Sequence, residues 1–436
     1  MSAVHSWGRL RSADHLMKRP AFLDEALNVL RREGEPAILC YGRGRSYGDV
    51  CLNENGRLLV TDALDRIISF DKERGILRAE AGLTIDGLLR TVVPHGWFIP
   101  VTPGTKFVTL GGIVANDVHG KNHEIAGCFG SHISKIGLAL SSGDVLTLSL
   151  GENAALFGAT IGGLGLTGLI LWVEIQLAPI ASALIESETI PIRDLEHFFV
   201  VAQESQAWPY GVGWVDALAV GGGIGRGCYI RGRHIEKGEL ATHSQPRLSV
   251  PFDVPDGLLN QYSIQAFNSL YRYRSGRKKH QIQHYDAFFY PLDAIGNWNR
   301  LYGRRGFFQH QSVLPMTHAF DALRKMLSFC SEQREGSFLV ILKLFGDRPS
   351  PGLLSFARAG ATLALDFPNR GESTRRLLAR MENEVMKAGG RLYPAKDATM
   401  SAETFQAGYP DWVKLESLRD PAINSDFWRR VTGTIS

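Results

Sequence analysis

Residues 163–177 read GLGLTGLILWVEIQL, and the fold turns on whether the glycines open a helix or a strand. Gly163, Gly165 and Gly168 match G-x-G-x-x-G, the spacing that carries a strand into a helix and seats a pyrophosphate on the helix N-terminus. Such a site needs a helix after the last glycine, because the free amides of its first turn hold the phosphates. Here LILWVEIQL comes next, β-branched, aromatic and alternating with period two, which is the pattern of a strand. The motif is a turn into a strand, and a nicotinamide Rossmann domain is set aside.

Outward from that point the chain reads as α+β rather than regularly alternating βαβ. AFLDEALNVLRRE (21–33) has helical spacing, and AILCYG runs as a strand into glycines. LLVTDA, RIISFD and ILRAEAG are short strands, TIDGLLRTVVPHG an amphipathic helix, and ISKIGLALSSGDVLTLSL a hairpin turning at Ser142-Gly143-Asp144. Beyond about residue 185, SETIPI, YGVGWVDAL, CYIRGRHI, FFQHQSVLP, SFLVILKLFG and ATLALDFP read as strands, with helices near 193–205, 317–332 and 372–388. Residues 240–283, rich in Pro, Ser, Gln and Arg, read as solvated loop, with YRYRSGRKKH as the one dense basic run. A flap meeting an anionic or membrane-associated substrate is the sharper reading of that run.

At 436 residues the chain is too long for one ordinary core, so two large domains are expected. Forty-eight basic against forty-four acidic residues give +4, which argues against nucleic-acid binding. Cys40, Cys51, Cys128, Cys228 and Cys330 are scattered without a C-x-x-C, so neither a metal site nor a disulfide framework is expected. No signal peptide or membrane span is legible, and a cytoplasmic location, with peripheral contact at the inner membrane, is expected.

Two glycine-rich stretches remain. YGRGRSYGD (41–49) follows the AILC strand; its backbone amides could converge on one anion, with Arg43 and Arg45 adding charge, or its glycines could serve a tight turn. GGIVANDVHGKNHEIAGCFG (111–130) carries His119, Lys121 and His123 among five glycines, with no apolar period of a buried helix or strand.

Taken in order, the 41–49 loop, TPGT (102–105), the 111–130 stretch and GATIGGLGLTGLILWVEIQL (158–177) resemble the FAD domain of the vanillyl-alcohol oxidase and p-cresol methylhydroxylase superfamily. Within it, RGRSYGD, VTPGTKFVTLGGIVANDVHGKNHEIAGCFGSHI, FFYPLDAIGNWNRLYG, FFQHQSVLP, SFLVILKLFG and LYPAKDATMSAETFQAGYP are similar to successive segments of the flavin oxidases of polyprenyl-phosphate-linked ribose. The resemblance spans about residues 40–410. It implies an FAD-binding PCMH-type domain of two subdomains (1–182), a substrate domain with an antiparallel sheet flanked by helices (183–390), and a C-terminal segment returning to the FAD domain (391–436).

By the same matching, FAD lies against Tyr41, Gly42, Arg43, Gly44, Arg45, Ser46, Tyr47, Gly48 and Asp49 on its pyrophosphate and adenine side. Gly104, Thr109, Leu110, Gly111, Gly112, Asn116, Asp117 and Gly120 lie along the ribityl chain and ring, with Ile170 and Tyr393 completing the pocket. Glycines suit a ring set edge-on against backbone. Tyr47 stands where many members tether FAD through histidine, so the resemblance implies non-covalent FAD.

Oxidising a secondary alcohol sends a hydride to the flavin and the hydroxyl proton to a base, and a histidine of ordinary pKa near ~6.5 suits the latter. His119 is the candidate, with Lys121 and Lys396 as cations that stabilise developing charge. Tyr47, Gln309, Gln311 and Lys343 match substrate-binding positions, Lys343 suiting a phosphate. Gln309 and Gln311 alternate on one strand and so share a face.

The function implied is oxidation of the C2 hydroxyl of a polyprenyl-phosphate-linked ribose to the 2-keto sugar. A separate NAD(P)H-dependent short-chain reductase would complete an epimerisation to the arabinose form for the cell envelope. A soluble sugar, alditol or aldonolactone oxidase on the same flavin domain is the alternative. Two departures stand out: the family's active-site cysteine is replaced by Ala364, and Phe289 and Tyr290 shift the aromatic pair before PLD.

Overall fold

Short β-branched runs before residue 182 build two small sheets rather than one. The computed structural model describes residues 2–31, 34–246, 248–275 and 279–433. In the first sheet, β1 (Ser2–His5), β2 (Ser12–Lys18), β3 (Ile38–Tyr41) and β4 (Arg57–Val60) take the order β1-β2-β4-β3. Strands β2 and β3 both run parallel to β4. The second sheet contains β5 (Ile67–Asp71), β6 (Ile76–Glu80), β8 (Ile133–Ala139), β9 (Val145–Leu148) and β10 (Leu169–Gln176), antiparallel in the order β5-β6-β10-β8-β9. A ribbon of β7 (Trp97–Phe98) and β11 (Ala178–Pro179) lies beside it. Gly168 leads directly into β10 at Leu169, so period two decided correctly between strand and helix.

The third sheet has eight strands, all paired antiparallel. They are β12 (Leu184–Ile192), β13 (Tyr210–Val215), β14 (Gly227–His234), β16 (Lys279–His284), β18 (Phe307–Leu314), β19 (Val340–Phe345), β20 (Gly360–Pro368) and β21 (Arg391–Leu392). Their order is β16-β12-β14-β13-β19-β20-β18-β21. Helices Met316–Glu332 and Glu372–Lys387 bury Leu323, Met326, Leu327, Leu377, Met381 and Val385, in one core with Leu342, Leu363 and Leu365 of the sheet. Alternation then sends Lys343, Thr362, Ala364 and Asp366 to the opposite face.

Two expectations need correction. Residues 240–283, expected as solvated loop, hold helix Gln261–Ser275 and strand β16, as well as β15 (Leu248–Ser249) paired with β17 (Ile295–Gly296). The polar composition concealed the helical spacing of Ile264, Asn268 and Tyr271, the first two of which are buried. Part of the YRYRSGRKKH run, residues 276–278, lies outside the described residues. The 111–130 stretch, expected to lack helical order, begins within a short helix, Leu110–Ala115, and contains a single turn, His123–Ala126. Thr109 caps the first, its Oγ1 accepting from the Gly112 amide at 3.2 Å, so a local side chain supplies what apolar periodicity did not announce.

The C-terminal helix Asp426–Thr432 packs back on the first sheet region. The amide of Asp426 donates to the Leu52 carbonyl at 2.8 Å, and the Ile38 amide to the Ala422 carbonyl at 2.8 Å. Arg430 is bidentate to Asp49 (2.8 Å for each oxygen) and reaches Asp397 at 3.0 Å, tying the 41–49 loop, the 393–397 segment and the helix together. Asp397 is buried, and losing its cation would strand a carboxylate. Arg430→Met is therefore expected to lower unfolding free energy by about 3–5 kcal/mol, read by urea denaturation.

Candidate active site

Three neighbouring strands make a floor by simple alternation. The pairs Gln309↔Asp366 and Gln311↔Ala364 join β18 to β20, and Lys343↔Thr362 joins β19 to β20, so these side chains share one face. Gln309, Gln311, Thr362 and Asp366 are all buried although none is apolar, so something covers them. The cover is the glycine-rich backbone of the N-terminal half, which brings His119, Lys121 and Tyr47 down onto this floor.

Gln311 donates to His119 Nε2 at 2.8 Å, and the Lys343 Nζ sits 3.2 Å from His119 Nδ1 and 3.4 Å from the Gly120 carbonyl. Phe345 lies 4.7 Å from the imidazole, centroid to centroid. Burial, then the positive charge of Lys343, holds the His119 pKa well below the usual histidine range. His119 is neutral at pH 7, as a base must be, yet both ring nitrogens are already engaged. His123, beside it against Phe345, is buried with neither nitrogen partnered, and its pKa is pushed down to about 4 by burial and Lys343.

Three lysines converge here while keeping part of their side chains accessible. Lys121 donates to the Phe288 carbonyl and lies 4.5 Å from the Phe288 ring centroid. Lys396 sits 4.0 Å from the centroid of Tyr47. Desolvation lowers Lys121 to about 7; Lys343 falls to about 7 through desolvation and then repulsion from Lys121 and Lys396. Lys396 is lowered by burial, and Asp366, which faces it, is raised by burial. No carboxylate among the described residues forms an ion pair with any of the three. Such a concentration of positive charge suits an anionic ligand.

Around them the expected cofactor residues divide into two groups. Tyr47 is held by its amide on the Ala395 carbonyl at 2.9 Å and by a T-shaped contact with Phe307 at 5.3 Å. At Gly48 a Cβ would collide with the Asp397 carbonyl, so this glycine serves a close crossing of two backbones. At Gly104 a Cβ would meet nothing within 4 Å, and Asn116 Oδ1 and Arg45 Nε are buried without partners; open space and unused polar atoms are what a bound cofactor requires. Arg45 stacks on Trp7 at 4.1 Å, and Tyr393 donates to the Asn116 carbonyl at 3.0 Å. Tyr41, Gly42, Gly44 and Ser46 complete the loop, while Gly111, Gly112, Gly120 and Ile170 lie along the central crossing.

Other expected residues spend their side chains on structure. Arg43 pairs with Asp62 at 3.0 Å, Asp49 with Arg430, and Leu110 is fully buried in the core beneath the crossing. The Asp117 carboxylate accepts from the Gly130 amide at 2.8 Å and from Ser350 at 2.5 Å and Ser355, fastening the crossing to the segment between β19 and β20. Sequence reasoning missed His123 and Asp366 as site residues. Asp366 was discoverable, since it lies two positions beyond Ala364 and so on the same face.

Comparison with known proteins gives the arrangement its relatives. Residues 17–149 match the model of an FAD binding domain. The chain is 34% identical to "Decaprenylphosphoryl-beta-D-ribose oxidase" of Mycolicibacterium smegmatis, over 94% of this chain and 93% of that one. It is 28% identical to an L-gulonolactone oxidase of Scyliorhinus torazame over 40% of each chain. It is also 24% identical to a D-arabinono-1,4-lactone oxidase of Yarrowia lipolytica over 47% of this chain and 40% of that one.

The lysines and the floor generate two testable expectations. As pH rises through about 7, Lys343 and Lys121 lose protons, so a phosphate-bearing ligand should bind about tenfold or more weakly at about pH 9 than at about pH 6.5. Titration by flavin fluorescence checks this, and Lys343→Gln should flatten the profile. Ala364 is partly exposed and stands where a thiol would meet the site, whereas burial pushes Cys40, Cys51 and Cys330 up to about 12. Thiol-directed reagents should therefore leave activity intact and inactivate Ala364→Cys.

Proposed function

Because the chain belongs to the family of decaprenylphosphoryl-β-D-ribose oxidase, sharing 34% identity over 94% of its length, and is an FAD-dependent oxidoreductase, we propose that it oxidises the C2 hydroxyl of a polyprenyl-phosphate-linked ribose. The product is the 2-keto sugar, which a separate NAD(P)H-dependent short-chain reductase converts to the arabinose epimer for the cell envelope. The observation that carries this reading is the trio of lysines on a polar sheet floor, a place for a sugar bearing a phosphate.

Bound FAD supplies the acceptor for the hydride that leaves C2. The protein's residues do the rest. As the C2–H bond breaks, the hydroxyl proton must go to a base within hydrogen-bond reach. His119 meets Gln311 through Nε2 and Lys343 through Nδ1, one ring nitrogen accepting and the other carrying the proton, so its role is to keep these two side chains in register. Lys396, which burial lowers to about 8 against the pull of Asp366, accepts that proton in its neutral form. Asp366, whose charge acts on Lys396, keeps one carboxylate oxygen without a hydrogen bond, into which a proton can be passed. Lys343 and Lys121 meet the phosphate and the developing oxyanion, and Gln309 with Gln311 orients the sugar hydroxyls. FAD is held without a covalent bond, Tyr47 occupying the loop position of the tether and lying between Phe307 and Lys396.

The lactone oxidases match well under half of this chain, so their likeness supports the flavin domain rather than their substrates. No helix among the described residues is long and apolar enough to cross a membrane, and the lipid substrate is met by peripheral contact. A farnesylphosphoryl ribose should bleach the flavin anaerobically, while free ribitol and aldonolactones should not; the reverse outcome sinks the proposal. Lys396→Ala should slow that reduction about 10²-fold or more, the usual contribution of a general base, with a smaller loss for His119→Ala.

A further inference from the structure

Helix Gln261–Ser275 has two faces that do not resemble each other. Inward, Ile264 and Asn268 are buried; Asn268 donates to Asp216 at 2.9 Å, and the Tyr271 ring lies 4.5 Å from Trp214. Outward, on the side opposite Ile264, helical spacing aligns Tyr262, Ala266, Leu270 and Tyr273 in one stripe. Tyr262 is 71% exposed, Leu270 57% and Tyr273 82%, so the stripe faces solvent. Arg272 flanks it on one edge and Arg274 on the other; neither forms an ion pair with a described residue. From Gly257 to Tyr285 there is no Asp or Glu, against near parity of charge in the whole chain. Exposed Leu258 precedes the helix, and exposed Lys279 opens the strand after it.

We infer that this helix is an interfacial anchor that lies on a bilayer bearing anionic headgroups. Apolar and aromatic side chains along the centre, arginines at the margins and no acid are what a helix at the headgroup boundary needs: the stripe enters the acyl edge and the guanidinium groups reach phosphates. Its inner face is continuous with the site. Phe267 lies 5.6 Å from Phe338, Phe338 5.6 Å from Tyr302, Tyr302 4.1 Å from Phe307, and Phe307 5.3 Å from Tyr47, all centroid to centroid. A helix docked on lipid is thereby fixed relative to Tyr47 and Lys396, so a polyprenyl chain can stay in the bilayer while its sugar reaches the floor. The inference rests on the lipid-linked substrate proposed above only for that last clause.

The test is flotation of the full-length holoenzyme with phosphatidylcholine vesicles and with vesicles containing phosphatidylglycerol. Wild type should float with the anionic vesicles and be released by high salt. Arg272→Glu/Arg274→Glu should reduce the bound fraction at least tenfold, and Leu270→Ser/Tyr273→Ser at least fivefold. Both double variants should turn over dispersed farnesylphosphoryl ribose at the wild-type rate, which shows that they fold, and lose turnover of a long-chain substrate held in vesicles. Wild type that fails to float, or variants that float equally well, overturns the anchor. So does light scattering that shows a dimer lost in Leu270→Ser/Tyr273→Ser without any flotation, since the face would then join two copies of the chain. Flotation that behaves as expected in an enzyme reducing its flavin with no ribose phospholipid supports the anchor and overturns the substrate reading alone.

Discussion

Holding three ammonium groups near one another in a largely enclosed site is costly, and much of the molecule is arranged around that cost. Lys121, Lys343 and Lys396 approach from three separated parts of the sequence and meet no paired carboxylate among the described residues. Their charge is relieved instead by lowered pKa values, by the Phe288 and Gly120 carbonyls, and by the π faces of Phe288 and Tyr47. Asp366 faces Lys396 without forming an ion pair, and no carboxylate among the described residues pairs with Lys121 or Lys343. The site is built to be completed by a ligand.

The covering half keeps that arrangement in place by a few backbone crossings. Gly48 against Asp397, and Asp117 against Ser350 and Ser355, tie the glycine-rich loops to the sheet's own segments. Arg430 closes the same seam from the C-terminus through Asp49 and Asp397. Four residues of these anchors, Asp49, Asp117, Asp397 and Arg430, are charged and mostly enclosed, so displacing one leaves a partner in low dielectric rather than merely removing a contact.

How much of this the sequence disclosed depended on whether the determining force was local. Strand alternation in FFQHQSVLP placed Gln309 and Gln311 on one face, the resemblance alone brought Ala364 to the site, and period two after Gly168 excluded a dinucleotide helix. Cofactor chemistry was legible only through the order of several glycine-rich segments, since no single one is specific. The fates of Asp49 and Asp117 were illegible because their partners, Arg430, Ser350 and Ser355, lie hundreds of residues away. The helix Gln261–Ser275 escaped because its outward stripe is apolar and its inward face carries Asn268, the inverse of the pattern by which helices are recognised.

Ala364 carries a consequence beyond reagent sensitivity. The floor residues Gln309, Gln311, Ile341, Lys343, Phe345, Thr362, Ala364 and Asp366 include no sulfur atom. A flavin oxidase that returns its electrons to oxygen releases hydrogen peroxide beside its own substrate surface, and a thiol there would climb toward sulfenic and sulfinic acid. With a methyl group in that place the floor itself presents no thiol to peroxide, and Cys128, whose backbone pairs with that of His119, is buried with its thiol pKa pushed up.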